Sequence, residues 1–187
     1  MTDDAWLVVI DMQRVFAAGS PWAAPDYAVA SSGVRRLLPH FGDRVVFTRY
    51  VAPERPTGAW VSYFEQWPFA LVAPDDPLYD LTEEFEPGDR PVLTRPTFGK
   101  WGEQLAAVTR GATELVLAGV STDCCVLSTA LPAADAGNHV RVVADACAGA
   151  SGEDHQRALD AMALYAPLVE ITTVDQVLAG PAPGAGS

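Results

Sequence analysis

The fold is decided by the stretch Glu114-Leu-Val-Leu-Ala-Gly-Val-Ser-Thr-Asp-Cys-Cys-Val-Leu-Ser-Thr-Ala-Leu131. Its apolar run 115–118 predicts a buried strand, residues 119–123 a tight turn, and the segment after the two cysteines a helix. Free backbone N–H groups and the helix dipole at such a helix start lower the pKa of a thiol, so Cys124 or Cys125 is a candidate nucleophile. The alternative is that both cysteines are small buried core residues.

Length and charge bound the class of protein. The chain has 187 residues, 49% of them hydrophobic, which predicts one domain (1–179) followed by a flexible tail at 180–187 rich in Pro, Gly and Ala. The formal net charge is −12, so we do not expect the basic patch of a protein that binds nucleic acid or a membrane surface. We therefore expect a small-molecule partner, with neither nucleic acid nor membrane.

Cysteine usage and the N-terminus indicate a compartment. Three cysteines, two of them adjacent, do not form the even, spaced set of a disulfide scaffold, and no Cys/His spacing indicates zinc. The acidic start lacks the basic and apolar regions of a signal peptide, and no apolar run approaches the ~18 residues of a membrane span. A cytoplasmic protein without metal or cofactor is expected.

Short apolar runs alternate with helical patterns along the chain. Strands are predicted at 6–10, 44–49, 91–94, 115–118, 140–143 and 168–171, with helices at 27–40, 101–110, 130–137, 151–164 and 173–178. This alternation predicts an α/β fold: a three-layer α-β-α, doubly wound, mostly parallel six-stranded sheet. Residues 51–89, rich in Pro, Gly and aromatic residues, are predicted to be mostly irregular, forming a lid, a pocket wall or a subunit interface.

Three candidates converge at one sheet edge. Asp11 directly follows the first strand, the loop 95–100 follows the third, and the cysteine turn follows the fourth. In the strand order 3-2-1-4-5-6, strands 1 and 4 flank the switch point where such folds bind ligands. Lys100 is the only lysine among 12 basic residues, and lysine can share a proton whereas arginine effectively cannot. Asp11 could instead be a turn former or helix cap, and Lys100 a solvated residue at a helix start.

Four segments carry a resemblance to a known family. They are Leu7-Val-Val-Ile-Asp11-Met-Gln13, the Lys100 loop, Gly119-Val-Ser-Thr-Asp-Cys-Cys125-Val with Thr129-Ala-Leu131, and Val142-Val-Ala-Asp145-Ala-Cys147. Together they resemble the isochorismatase-like cysteine hydrolase family, in outline from Trp6 to about Leu178.

The resemblance implies an Asp–Lys–Cys triad. Cys125 rather than Cys124 matches the nucleophile, Asp11 the general base, and Lys100 the cation that favours the thiolate. It also implies a cis peptide at 120–121 and an oxyanion hole made by the N–H groups of Ser121 and Cys125. In many relatives, however, the lysine stands where this chain has Arg95, so either cation could serve, and we prefer the sole lysine.

The same resemblance narrows the activity. Residues 48–54 lack the acidic-x-His metal motif of nicotinamidases, and isochorismatases proper have no cysteine nucleophile. The better match is hydrolysis of an amide, carbamoyl or ureido C–N bond through a thioester, as in N-carbamoylsarcosine and ureidoacrylate amidohydrolases. A vinyl-ether hydrolase or an inactive binding or scaffold member are the alternatives.

The substrate remains open, and a homodimer or homotetramer is expected from the family. The residues expected to bind substrate are Gln13, Phe16, Arg49, Tyr50, Trp60, Arg95 and Thr122.

Overall fold

The fold is built on one sheet in which every neighbouring pair of strands is parallel. A computed structural model describes residues 4–180, so residues 1–3 and, apart from Gly180, the predicted tail 180–187 lie outside the described residues. The elements are β1 (Trp6–Ile10), α1 (Tyr27–Phe41), β2 (Val45–Tyr50), α2 (Ala59–Gln66), β3 (Val92–Arg95), α3 (Glu103–Val108), β4 (Glu114–Val120), α4 (Leu127–Asp135), β5 (His139–Ala148), α5 (Gly152–Ala163), β6 (Val169–Thr172) and α6 (Val174–Leu178). The strand order β3-β2-β1-β4-β5-β6 confirms the predicted doubly wound sheet.

Both faces of the sheet are covered. All five residues of β1 are buried, and they alternate between two apolar clusters, with Leu7 and Val9 in one and Val8 in the other. Side chains of α1 and α6 join the first cluster, and side chains of α3, α4 and α5 join the second. A strand buried on both faces reads as a continuous apolar run, which is why β1 and β4 were recognisable in the sequence.

The largest departure from the prediction lies in residues 51–89. This segment contains the helix α2 and two short 3₁₀ turns, Pro68–Ala70 and Pro77–Tyr79, and is less irregular than expected. Within α2 only Phe64 is buried, and Trp60 and Tyr63 pack partly buried against the same apolar cluster. β5 is also longer than predicted, because it continues past Val143 to Ala148 after a register shift against β4.

The ends of β1 and β4 meet closely at one glycine. Ile10 pairs with Gly119, whose φ of 124° and position leave no room for a side chain, since a Cβ there would overlap the backbone of Ile10. This contact places Asp11 beside the turn that follows β4. Among residues 4–180, none of the helices is both long and apolar enough to cross a membrane.

Candidate active site

Asp11 is held rigidly just beyond β1. Its φ of 50° is a left-handed conformation that Asp tolerates better than most residues, and its side chain is fully buried. Oδ1 accepts a 2.6 Å hydrogen bond from Thr48 Oγ1, and the Asp11 N–H donates to the same hydroxyl at 3.2 Å. Oδ2 lies 2.8 Å from Lys100 Nζ. The carboxylate is therefore oriented from both sides.

Lys100 lies in the loop before α3, three residues ahead of its first residue, Glu103, and is fully buried. Its Nζ donates to Thr97 O at 2.8 Å and lies 5.6 Å from the centre of the Tyr50 ring. Arg95, the alternative cation, instead donates from Nη2 to Trp101 O at 3.4 Å. The ion pair with Asp11 is thus formed by Lys100.

The Lys100 loop is tied to the helix that follows the cysteines. At Gly99 a Cβ would lie 2.5 Å from Ser128 O, so only glycine lets the loop pass this close. The Lys100 N–H donates to Thr129 Oγ1 at 2.9 Å, and this hydroxyl donates to Cys125 O at 2.7 Å. One threonine therefore fixes the cation relative to the thiol.

The cysteines lie in a turn of π-helix, Thr122–Val126, that leads directly into α4. The peptide between Val120 and Ser121 is cis, as the resemblance implied. Ser121 O accepts from the N–H groups of Cys124 and Val126. Among the backbone hydrogen bonds of the described turns, loops and caps, none is donated by the Ser121 N–H.

The expectation of a lowered thiol pKa is wrong for both cysteines of the turn. Burial and the hydrogen-bonded Asp11 carboxylate raise the pKa of the Cys125 thiol well above its usual value, against an opposing effect of Lys100. Burial and Asp123 raise the pKa of Cys124 to about 11. Desolvation and neighbouring carboxylates outweigh the helix terminus here, so Cys125 rests as a thiol beside a proton acceptor.

The thiols open onto a cavity of about 300 Å³. Its lining consists of Phe16, Pro21, Trp22, Ala23, Tyr50, Tyr63, Trp67, Phe98, Ser121, Asp123, Cys124, Cys125 and Ala150. Trp22 is central to the aromatic part. The ring centroids of four other lining residues lie within 6.1 Å of it, namely Phe16, Tyr50, Tyr63 and Trp67, and that of Phe69, outside the lining, lies at 5.1 Å. The volume and the apolar wall are typical of a small-molecule site.

Only two of the seven residues expected to bind substrate, Phe16 and Tyr50, line this cavity. Gln13 is buried and its amide clamps backbone: Nε2 donates to Tyr50 O and Tyr79 O, and Oε1 accepts from the Tyr50 N–H. This side chain therefore orders the end of β2, one layer behind the cavity.

The other four residues expected to bind substrate also lie outside the cavity lining. Thr122 is buried and hydrogen-bonds His155 Nδ1 at 2.8 Å. Trp60 packs behind the lining against Phe98, with 5.3 Å between ring centroids. Arg49 lines a separate depression, and Arg95 is engaged by Trp101 as described above. These four positions lie near strand ends or in the aromatic segment but do not face the cavity.

Sequence reasoning missed several lining residues. Trp22 lies in a Pro- and Gly-rich loop, and Phe98 and Asp123 flank Lys100 and Cys124 in sequence, yet none was singled out for binding. Tyr63 and Trp67 belong to the aromatic segment 51–89, for which a pocket wall is one of the roles that the sequence leaves open. The usable signal was the recurrence of large aromatic residues in loops, where core packing alone does not require them.

Comparison with known proteins finds a matching family model and a related sequence. Residues 5–176 match the model of the isochorismatase domain family. Streptothricin hydrolase from Streptomyces noursei is 32% identical over 146 residues, covering 75% of this chain and 48% of that protein, so the chain spans about half the length of this relative.

Two solved structures share the fold. A cysteine hydrolase from Pseudomonas syringae pv. phaseolicola 1448A superposes with a TM-score of 0.83 at 20% identity, covering 94% of this chain and 91% of that one. A zinc complex of pyrazinamidase from Pyrococcus horikoshii gives a TM-score of 0.74 at 26% identity, covering 91% and 99%. In the described part of this chain, no three His, Cys, Asp or Glu side chains are grouped so that they could hold a metal ion.

Proposed function

Because the chain belongs to the isochorismatase domain family, a family of hydrolases, we propose that it uses Cys125 to hydrolyse a C–N bond of a small molecule. The bond is an amide, carbamoyl or ureido bond, and the intermediate is a thioester. The single observation that carries this proposal is the buried ion pair of Asp11 with Lys100, whose carboxylate lies close enough to the Cys125 thiol to raise its pKa. The similar proteins named cysteine hydrolase and streptothricin hydrolase support the same class.

In the first half-reaction the proton of Cys125 passes to Asp11 as the sulfur attacks the carbonyl carbon. The N–H groups of Ser121 and Cys125 stabilise the oxyanion of the tetrahedral intermediate. When the C–N bond breaks, the leaving nitrogen takes the proton from Asp11, and the thioester on Cys125 remains. Lys100 compensates the negative charge that the site carries when the thiol proton has left.

In the second half-reaction the ionised Asp11 takes a proton from water, whose oxygen attacks the thioester. The tetrahedral intermediate uses the same two N–H groups. Its collapse releases the acid and the Cys125 thiolate, which regains the proton from Asp11. Because the thiol pKa is raised, the resting site has the proton on sulfur and the charge on Asp11, which is the starting state of the next cycle.

Amine or ammonia release from a panel of amides and ureido compounds tests the proposal. Cys125→Ala should lose turnover by about 10³-fold or more, whereas Cys124→Ala keeps much of it, because the Asp11 carboxylate acts on the Cys125 thiol and not on that of Cys124. The neighbouring cysteine is the matched control. Turnover that survives Cys125→Ala would point to a cysteine-independent hydrolase, and a panel with no turnover in the native protein would favour an inactive binding member.

A further inference from the structure

The cavity wall is dominated by aromatic rings. Six of its thirteen lining residues are aromatic. The ring centroid of Trp22 lies 5.9 Å from that of Tyr63 and 6.1 Å from that of Trp67, so these three rings form one cluster. The face of an aromatic ring carries negative charge density, so a cluster of rings attracts an organic cation in preference to an anion.

The cavity lining also carries a negative formal charge. Asp123 is the only charged residue among the lining residues, which include neither arginine nor lysine. Its side chain is oriented by the structure: Oδ1 accepts from the Ala150 N–H at 2.9 Å, and Oδ2 lies 3.5 Å from Cys124 Sγ. The residue is partly exposed, so its carboxylate can meet a ligand.

The buried cation Lys100 does not reverse this charge. Lys100 is fully buried behind Tyr50 and is paired with Asp11, so its charge is already balanced. A substrate carboxylate in the cavity would therefore face Asp123 with no free cation to pair with among the lining residues, and would lose its hydration without compensation. Anionic substrates, including ureido acids, do not suit this wall.

We propose that the substrate carries an organic cation, an ammonium or guanidinium group, which binds between the aromatic wall and Asp123 while the scissile bond lies at Cys125. The inference rests on the proposed function for the position of the scissile bond at Cys125 relative to the cation. Binding of the cation itself can be tested without turnover. Cys124, the second thiol in the lining, serves as the reporter.

The first test uses the Cys125→Ala variant, which has lost its nucleophile. Cys124 is modified with two methanethiosulfonates, one ending in trimethylammonium and one in sulfonate, and each rate is divided by the rate with glutathione. The same Cys124 thiolate attacks the sulfur of either reagent and releases methanesulfinate, so the ratio of the two rates is independent of the Cys124 pKa. Peptide mass separates the product from that of the buried Cys147.

We expect the cationic reagent to react faster by on the order of tenfold, and Asp123→Asn to remove most of that preference. The asparagine keeps an oxygen for the Ala150 N–H, so only the charge changes. Glu65→Gln, at an exposed position of α2 outside the lining, is the control for a change in net charge and should leave the ratio intact. Equal rates, a faster anionic reagent, or an unaltered ratio in Asp123→Asn would overturn the proposal.

A second test addresses the aromatic wall. Choline and its neutral isostere 3,3-dimethylbutan-1-ol are compared for protection of Cys124 against the uncharged methyl methanethiosulfonate in the same Cys125→Ala background. Choline should protect at concentrations about tenfold lower, and Trp67→Leu should narrow the difference, because leucine keeps apolar bulk without a ring face. Equal or weaker protection by choline would contradict the cation site. Loss of turnover in Cys125→Ala stays a separate result, so the two proposals can fail independently.

Discussion

Lys100 Nζ lies 2.8 Å from Asp11 Oδ2, and neither side chain is exposed to solvent. The two residues are brought together by the close contact of β1 and β4 and by the loop that Gly99 allows against α4. A buried ion pair is a costly structural device, because both charges lose their hydration. Its position beside Cys125 is the reason to assign it a chemical role.

Removing the charge of Lys100 should severely reduce stability and turnover, whereas removing that of Arg95 should not. Lys100→Met leaves Asp11 buried without its partner, so we expect a loss of about 3–5 kcal/mol in the free energy of unfolding together with loss of turnover. Arg95→Met should retain most activity, because Arg95 bonds Trp101 O and not the carboxylate. Urea unfolding and the amide panel measure both effects. Activity lost in Arg95→Met and kept in Lys100→Met would assign the cation to Arg95.

Asp11→Asn should separate thiol ionisation from turnover. The Asp11 carboxylate raises the pKa of Cys125, so its neutral replacement lowers that pKa and shifts the pH midpoint of iodoacetamide labelling downwards. Turnover is nevertheless lost, because the general base is gone.

The labelling is measured in a Cys124→Ala background, with circular dichroism to confirm folding. A midpoint that moves to higher pH would mean that Asp11 does not control this thiol.

Thr129 should act as a positioning residue. Thr129→Val keeps the shape but removes the hydroxyl that links the Lys100 N–H to Cys125 O. We expect kcat to fall by about tenfold with KM little changed, since the residue does not line the cavity. Thr129→Ser, which restores the hydroxyl, should recover most of kcat. If neither kcat nor thermal stability recovers in the serine variant, Thr129 acts through packing alone.

His155 should make stability depend on pH in a definite direction. Burial lowers its pKa in the folded protein, despite the opposing charges of Asp26 and Asp123. As the pH falls through the unfolded-state pKa, the unfolded chain takes up a proton that the folded one resists, so the free energy of unfolding decreases until the lower folded pKa is passed.

Urea unfolding between about pH 8 and about pH 5 should therefore show a smaller pH-dependent loss in His155→Gln than in the native protein. The comparison is one of slopes, because the glutamine variant also alters the hydrogen bond to Thr122. Parallel slopes would exclude His155 as a source of this dependence.

The sheet and its order could be predicted from the sequence because the signals are local. A strand buried on both faces is a continuous apolar run, as in β1 and β4, and the alternation of strands with helices leaves few topologies. The same reasoning placed Asp11 and the cysteine turn at one sheet edge. The helix α2 was missed because it is only eight residues long and lies in a segment rich in Pro and Gly, where turn signals predominate.

Other features depended on distances between residues far apart in the chain. The partner of Asp11, the raised pKa of Cys125 and the displacement of Gln13 into a backbone clamp all arise from burial and contacts across different elements. A thiol at a helix start is activated or suppressed according to how much water and how many carboxylates surround it, and no local pattern records either quantity. The sequence alone determined the architecture and the chemical groups, whereas the tertiary structure decided which cation meets the carboxylate, where the proton rests and what charge the cavity presents.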